Sequence, residues 1–165
     1  MRKQYRLYER ITIVVDTREQ KPYQFEHATI GAALGCGDYS IKGFEDRVAV
    51  ERKELNDLIS CLTKTGRERF ERELRRSRAL EHFAIVVEAN LSDLAAGRYR
   101  SDMTPEAVLQ SIVTLSVRYG VPVWLCDSRE LGQRVTESLL VKYARERCRD
   151  FYLLERDAGE SKNAA

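Results

Sequence analysis

The chain reads as an α/β domain, a mixed β-sheet flanked by helices, on three observations. Three short apolar runs, Ile11–Val15, Phe83–Ala89 and Val121–Cys126, lack the polar alternation of half-exposed strands and so read as strands covered on both faces. Elsewhere apolar residues recur at helical spacing: Leu55, Leu58, Ile59 and Leu62, then Val108, Ile112, Leu115 and Tyr119, then Leu131, Val135 and Leu139. Finally, the strand-like residues Tyr39, Ile41, Val48 and Val50 flank the four-residue loop Gly43-Phe44-Glu45-Asp46, which is a β-hairpin pattern. The order strand, hairpin, two helices, strand, helices, strand, helix suits a sheet with helices packed on its faces.

With 165 residues, 43% apolar and 33% charged, the chain has room for one core. The expected limits are residues 1–156 for the folded domain and 157–165 for a disordered polar tail. A net charge of +2 is too small to announce nucleic acid, so a DNA site has to come from local clustering. No run approaches a membrane span and no signal-peptide core follows Met1-Arg2-Lys3, so the expectation is a cytoplasmic protein, or a nuclear one in a eukaryote, with no membrane partner. No lysine-containing phosphate loop supports ATP use. The four cysteines show no C-x-x-C spacing and only two histidines accompany them, so they read as buried hydrophobes rather than a zinc site.

In chain order, residues 1–10 carry Arg2, Lys3, Arg6 and Arg10 and are either a frayed end or an edge strand. The strand Ile11–Val15 places Asp16, Arg18 and Glu19 at its carboxyl end, where ligands gather in open α/β sheets. Lys21 to Gly35 reads as a loop in which Tyr23 and Phe25 pack. The hairpin loop then sets a register in which Tyr39 faces Val50 and Asp38 lies across from Glu51. The period of two puts Lys53 on the face of Glu51, while Val48, Val50 and Arg52 point the other way.

The helix after the hairpin begins near Glu54, and Asp57 leaves it on a face that either orients Lys53 or meets solvent. Gly66 to His82 is a helix burying Phe70 and Leu74, with Glu68–Arg72 and Glu71–Arg75 as i,i+4 pairs. Most of its arginines belong to a solvated face, and Arg67 and Arg69 are the candidates for DNA phosphates. Glu88 ends the next strand, and Leu91 to Gly97 is a short helix before a polar loop. Thr104-Pro105-Glu106 starts the following helix with an N-cap and a proline at the first position, and Gly120 stops it. That helix carries a second apolar row, Leu109, Val113 and Val117, which predicts cover from another element or a homodimer. Asp127 reads as the cap of the last helix, Arg129 to Tyr152.

Two facing acids beside a lysine suit a hard divalent cation, because Mg²⁺ needs only one or two carboxylates and completes its shell with water and phosphate oxygens. An ammonium alongside offsets charge on a phosphoryl transition state. Gly37-Asp38, a short spacer, Glu51-Arg52-Lys53 and Asp57 give GD…ERKxxxD, and Val15-Asp16-Thr17-Arg18-Glu19 gives VDxRE. Together these resemble the nuclease domain of XPF-family structure-selective endonucleases, from residue 13 to 62 by motif and to about 127 by element order. The resemblance implies a restriction-endonuclease-like core, Mg²⁺ (or Mn²⁺) as cofactor, and branched or flapped DNA as substrate in repair or recombination. It also implies Asp38, Glu51 and Lys53 as metal ligands and catalytic lysine. Asp16 would complete or flank the metal site, Arg18 would contact the scissile phosphate or steady the acids, and Asp57, Glu19 and Glu88 would be secondary. The chain resembles the nuclease core alone, with neither the helicase nor the paired DNA-binding helices of larger members. Two other readings stay open: a silent DNA-binding or scaffolding module of the same fold, and a junction-resolvase-like nuclease.

Overall fold

The computed structural model describes residues 10–163, with side chains to Leu154. The reading of the basic N-terminus falls on residues 1–9, outside the described residues. Strands β1 (Thr12–Asp16), β2 (Ala28–Ala32), β3 (Tyr39–Ile41), β4 (Val48–Glu54), β5 (His82–Glu88) and β6 (Val123–Leu125) form one sheet in the order β2-β1-β3-β4-β5-β6. The pairs β1–β2, β4–β5 and β5–β6 are parallel, and β1–β3 and β3–β4 are antiparallel. Helices α1 (Leu55–Leu62), α2 (Lys64–Ser77), α3 (Leu91–Ala95) and α4 (Pro105–Tyr119) share a core with one face of the sheet, and α5 (Arg129–Asn163) covers the other.

The period of two decides which residue joins which core. Ala49, Ile85 and Val87 pack under α1, α2 and α4, while Val48, Val50 and Val86 pack with Leu140 and Ala144 of α5. Glu51 and Lys53 continue the row of Ala49, and Arg52 continues the row of Val48 and Val50. The hairpin has the expected register, with Tyr39 opposite Val50. Helix α1 buries Leu55, Leu58, Ile59 and Leu62 as its spacing requires. Tyr23 packs rather than stacking on anything external: it is buried and parallel to Tyr39, ring centroids 5.2 Å apart, with Phe25 edge-on to both. The Thr104 side chain caps α4, with Pro105 in the first turn, and the two ion pairs of α2 form.

Four expectations change. Part of the supposed loop from Lys21 to Gly35 is strand β2; it lies at the sheet edge with Ala28–Gly31 exposed, so it has no buried face and no apolar period to betray it. Strand β6 is shorter than Val121–Cys126 and leaves Trp124 half exposed, because it is the other edge. The cap of α5 is Ser128, whose Oγ accepts from the Leu131 N–H, while Asp127 accepts from Asn90 Nδ2 in a left-handed conformation (φ 57°). The backbone of α5 runs on to Asn163, past the helix end expected at Tyr152. No proline interrupts it there. Among the described residues no helix is long and apolar enough to cross a membrane.

Candidate active site

Gly37 sets the position of the first acid. Its backbone is left-handed (φ 74°), and a Cβ there would lie 2.9 Å from the Ala49 Cβ, so only glycine lets the chain run this close to β4. Asp38 follows, pinned by its N–H on Val50 O (2.9 Å) and by its carbonyl, which accepts from the Asp16 N–H (2.8 Å). Its carboxylate Oδ2 accepts from the Arg52 N–H at 2.7 Å. Thus β1, β3 and β4 together place this one side chain.

Glu51, on β4, is buried and ion-paired to Lys53 Nζ at 2.5 Å; the ammonium lies 5.3 Å from the centre of the Phe70 ring on α2. Burial and then the Glu51 charge push the Asp38 carboxyl well above the usual range, against the pull of the Arg52 N–H. Burial also raises Glu51; Lys53 opposes this, and Glu73 adds to it. Burial works against the Lys53 charge, but Glu51 outweighs it and keeps the ammonium protonated, its pKa raised. Asp38, Glu51 and Lys53 line a cleft of about 780 Å³ with Arg18, Glu19, Asp57 and Arg69.

The other predicted residues separate clearly. Asp16 is fully engaged: its Oδ1 accepts from Arg18 Nε (2.7 Å) and the Arg18 N–H (2.8 Å), and its Oδ2 from Arg18 Nη2 (2.9 Å) and the Leu34 N–H (2.6 Å). Those four bonds occupy the acceptor sites of the carboxylate and make Asp16 the group that fixes Arg18 beside the cleft. They also hold the Asp16 carboxyl down at about 2, the Arg18 fork being the largest cause. Arg18 is 72% exposed yet held rigidly, with Nη2 also on Leu34 O at 2.7 Å. Glu88 faces away from the cleft, paired with Arg52 (2.7 and 2.8 Å) and Arg129 (3.1 Å). Arg67 leaves the cleft for Leu62 O and Ser111 Oγ, both at 3.2 Å, while Arg69 lines it. Asp57 is exposed on the rim, and Glu19 lies 3.8 Å from Arg52.

Glu73 was missed by sequence reasoning. It sits one position before buried Leu74 and three after Phe70, at the border of the buried stripe. Phe70, already placed in the core, was the available signal.

The donor set fits a hard divalent cation. Asp38 and Glu51 are a buried pair of acids whose charges Lys53 only partly balances, and carboxylate oxygens are what Mg²⁺ takes. Among the described residues no three His, Cys, Asp or Glu side chains are grouped to hold a metal; a cation held by two carboxylates would fill its other positions with water and substrate oxygens.

The sign of the pH dependence follows. Burial and the repulsion of neighbouring acids hold the Asp38 and Glu51 carboxyls at raised values in the metal-free fold, against about 4 when unfolded. The folded state therefore binds more protons between these values, and stability falls as pH rises through that window. In EDTA, the melting temperature of the parent relative to Asp38→Asn is expected to drop from pH 5 to pH 8, and Mg²⁺ is expected to recover it at pH 8. Each ~1 kcal/mol reads as about 2–4 °C. His82, which burial holds low, has the opposite slope but is common to both proteins. A difference that stays flat with pH would rule out the repulsion.

A mixed sheet flanked by helices in this arrangement is the restriction-endonuclease-like core. The ERCC4 domain matches residues 15–139, and the chain belongs to that family. It is similar to a solved structure of XPF from Aeropyrum pernix, with 24% identity over 78% of this chain and 59% of that one, TM-score 0.63. It is likewise similar to XPF from Aeropyrum pernix in complex with DNA, with 24% identity over 83% and 66%, TM-score 0.66. At that identity the likeness concerns the fold, and the chain spans less than two thirds of either relative. No match was found among curated proteins.

Proposed function

We propose that this chain is a Mg²⁺-dependent DNA endonuclease acting on branched or flapped duplexes in repair or recombination. The observation that carries the reading is the convergence of Asp38, Glu51 and Lys53 in one open cleft, with the exposed Arg18 and Arg69 on its walls. Asp38 and Glu51 would supply the oxygen ligands, with Mn²⁺ an acceptable substitute. Bound there, the cation supplies Lewis acidity toward a phosphodiester oxygen and makes water a better nucleophile at neutral pH. Lys53, kept protonated, orients a water by donation and offsets negative charge as it builds on the phosphorus oxygens. Arg18, preorganised by Asp16, meets the scissile phosphate; a guanidinium fork already fixed in place loses less entropy on binding. Glu19 and Asp57 flank these groups. Linear, flapped and forked duplexes assayed with Mg²⁺ and with EDTA test the reading: cutting confined to the metal-containing lanes and favouring branched forms is expected, and cutting in EDTA would overturn it.

DNA affinity is assigned to arginines facing the cleft. Arg69→Ala is expected to flatten the slope of log affinity against log salt by about 0.9, the loss of one duplex phosphate contact. Arg67→Ala, already engaged with Leu62 and Ser111, is expected to leave the slope alone. Affinity and salt slope unchanged from the parent in both variants would show that α2 is only a solvated face.

We also propose a homodimer. Helix α4 buries Val108, Ile112, Leu115 and Tyr119, while Val113 and Val117 remain 46% and 81% exposed with Leu109 beside them. Sedimentation across micromolar concentrations is expected to show a dimer, and Val117→Glu a monomer.

A further inference from the structure

We propose that Arg129, outside both motifs, is a positioning residue for the carboxylates of the cleft, an inference that rests on the metal-site reading above. It begins α5, on the face of the sheet opposite α1 and α2. Its Nη1 lies 3.1 Å from Glu88 Oε1, and its Nη2 donates to the carbonyls of Lys21 (2.8 Å) and Pro22 (2.9 Å). Its guanidinium lies over the Tyr23 ring, 4.9 Å from the centroid.

Each contact leads toward the site. Glu88 holds the Arg52 guanidinium with both oxygens, and the Arg52 N–H is the donor on Asp38 Oδ2 at 2.7 Å. Lys21 and Pro22 belong to the segment that carries Glu19, whose charge bears on both Arg52 and Asp38. Tyr23 is fixed in turn, its N–H donating to Tyr39 Oη at 3.0 Å, one residue from Asp38. Gly132 completes the fit, since a Cβ there would collide with the Tyr23 hydroxyl. A single guanidinium thus bridges α5, the end of β5 and the segment after β1, reaching the two sides through separate nitrogens of one rigid fork. Through Glu88 and Arg52 it holds the backbone donor that aims Asp38.

The test is calorimetric titration of Mn²⁺ at pH 8 into the full chain and into Arg129→Met, Arg129→Lys and Arg134→Met. Arg129→Met is expected to weaken Mn²⁺ binding about tenfold, the low end for groups that support metal ligands from outside. Arg129→Lys should fall between it and the parent, and exposed Arg134→Met should match the parent. In single-turnover cleavage the half-saturating Mg²⁺ should rise by about the same factor, with the rate at saturation within about twofold. If Arg129→Met melts earlier yet binds Mn²⁺ as the parent does, the residue is only a structural tie and the proposal is overturned. If Arg129→Met does not fold, Arg129→Lys decides, and parental affinity there overturns it. A parent that binds no Mn²⁺ defeats the metal reading as well, a result distinct from a binding parent with an unaffected variant.

Discussion

Glu51→Gln and Asp38→Asn are expected to lose cleavage while DNA binding stays intact or tightens. Each exchange keeps the side chain's shape and removes one negative charge from a cleft that would receive phosphates, so repulsion toward DNA falls as cation affinity collapses. In Asp38→Asn the amide oxygen can still accept from the Arg52 N–H, so the strand contact that places Asp38 survives the change. Loss of fold is excluded by melting both variants: Asp38→Asn should be no less stable than the metal-free parent because a like-charge pair has been relieved, whereas Glu51→Gln also leaves the buried Lys53 ammonium without its partner and should melt lower than Asp38→Asn. Lys53→Ala behaves differently. It is expected to retain metal and to cut more slowly by about 10²–10³, the typical effect of removing a preorganised electrostatic group. Metal titration beside single-turnover cleavage separates the two cases. If Glu51→Gln cuts at the parental rate in Mg²⁺, the mechanism is wrong.

The largest stability effect is expected at Glu88→Gln. Arg52 and Glu88 side chains are 8% and 10% exposed, and removing one partner of a buried pair costs about 3–5 kcal/mol because the other charge is left uncompensated. Neighbouring Glu54 remains for Arg52 at 3.1 Å but is 43% exposed and already shared with Lys21. The loss should appear as a fall in melting temperature of about 2–4 °C per kcal/mol. Its pH dependence runs opposite to that of the cleft. Burial alone would raise Glu88, but Arg52 outweighs it and holds the carboxyl below its ordinary value. That contribution is complete above the unfolded pKa and fades as pH falls through the lowered one, so the parent and Glu88→Gln should converge in acid. A variant as stable as the parent at pH 8 would show that the pair breaks even with its desolvation.

Much of the site was legible because it is local. The loop Gly43–Asp46 set the hairpin register, and period two then put Glu51 and Lys53 on one face and Arg52 on the other. Helix α4 was readable end to end from Thr104, Pro105 and Gly120. Strand β2 was not: an exposed edge has no buried face to leave a periodic trace, and only its ladder with β1 defines it. The cap of α5 was misread by one residue because Asp127 and Ser128 are equally good capping types, and the contact with Asn90 that removes Asp127 comes from a distant part of the chain.

Fold class, family motifs and the convergence of Asp38, Glu51 and Lys53 could all be read without coordinates, because they follow from spacing along short stretches of chain. What each remaining polar group is free to do could not, because that depends on which partners arrive from far away in sequence. Asp16 has spent its acceptors on Arg18 and Leu34, Arg67 is held outside the cleft by Ser111, Arg69 stays within it, and Glu73 comes up against Glu51 from α2. Arg129 reaches across from α5 to Glu88 and to the segment after β1, and no spacing rule relates it to the motif beside which it lands.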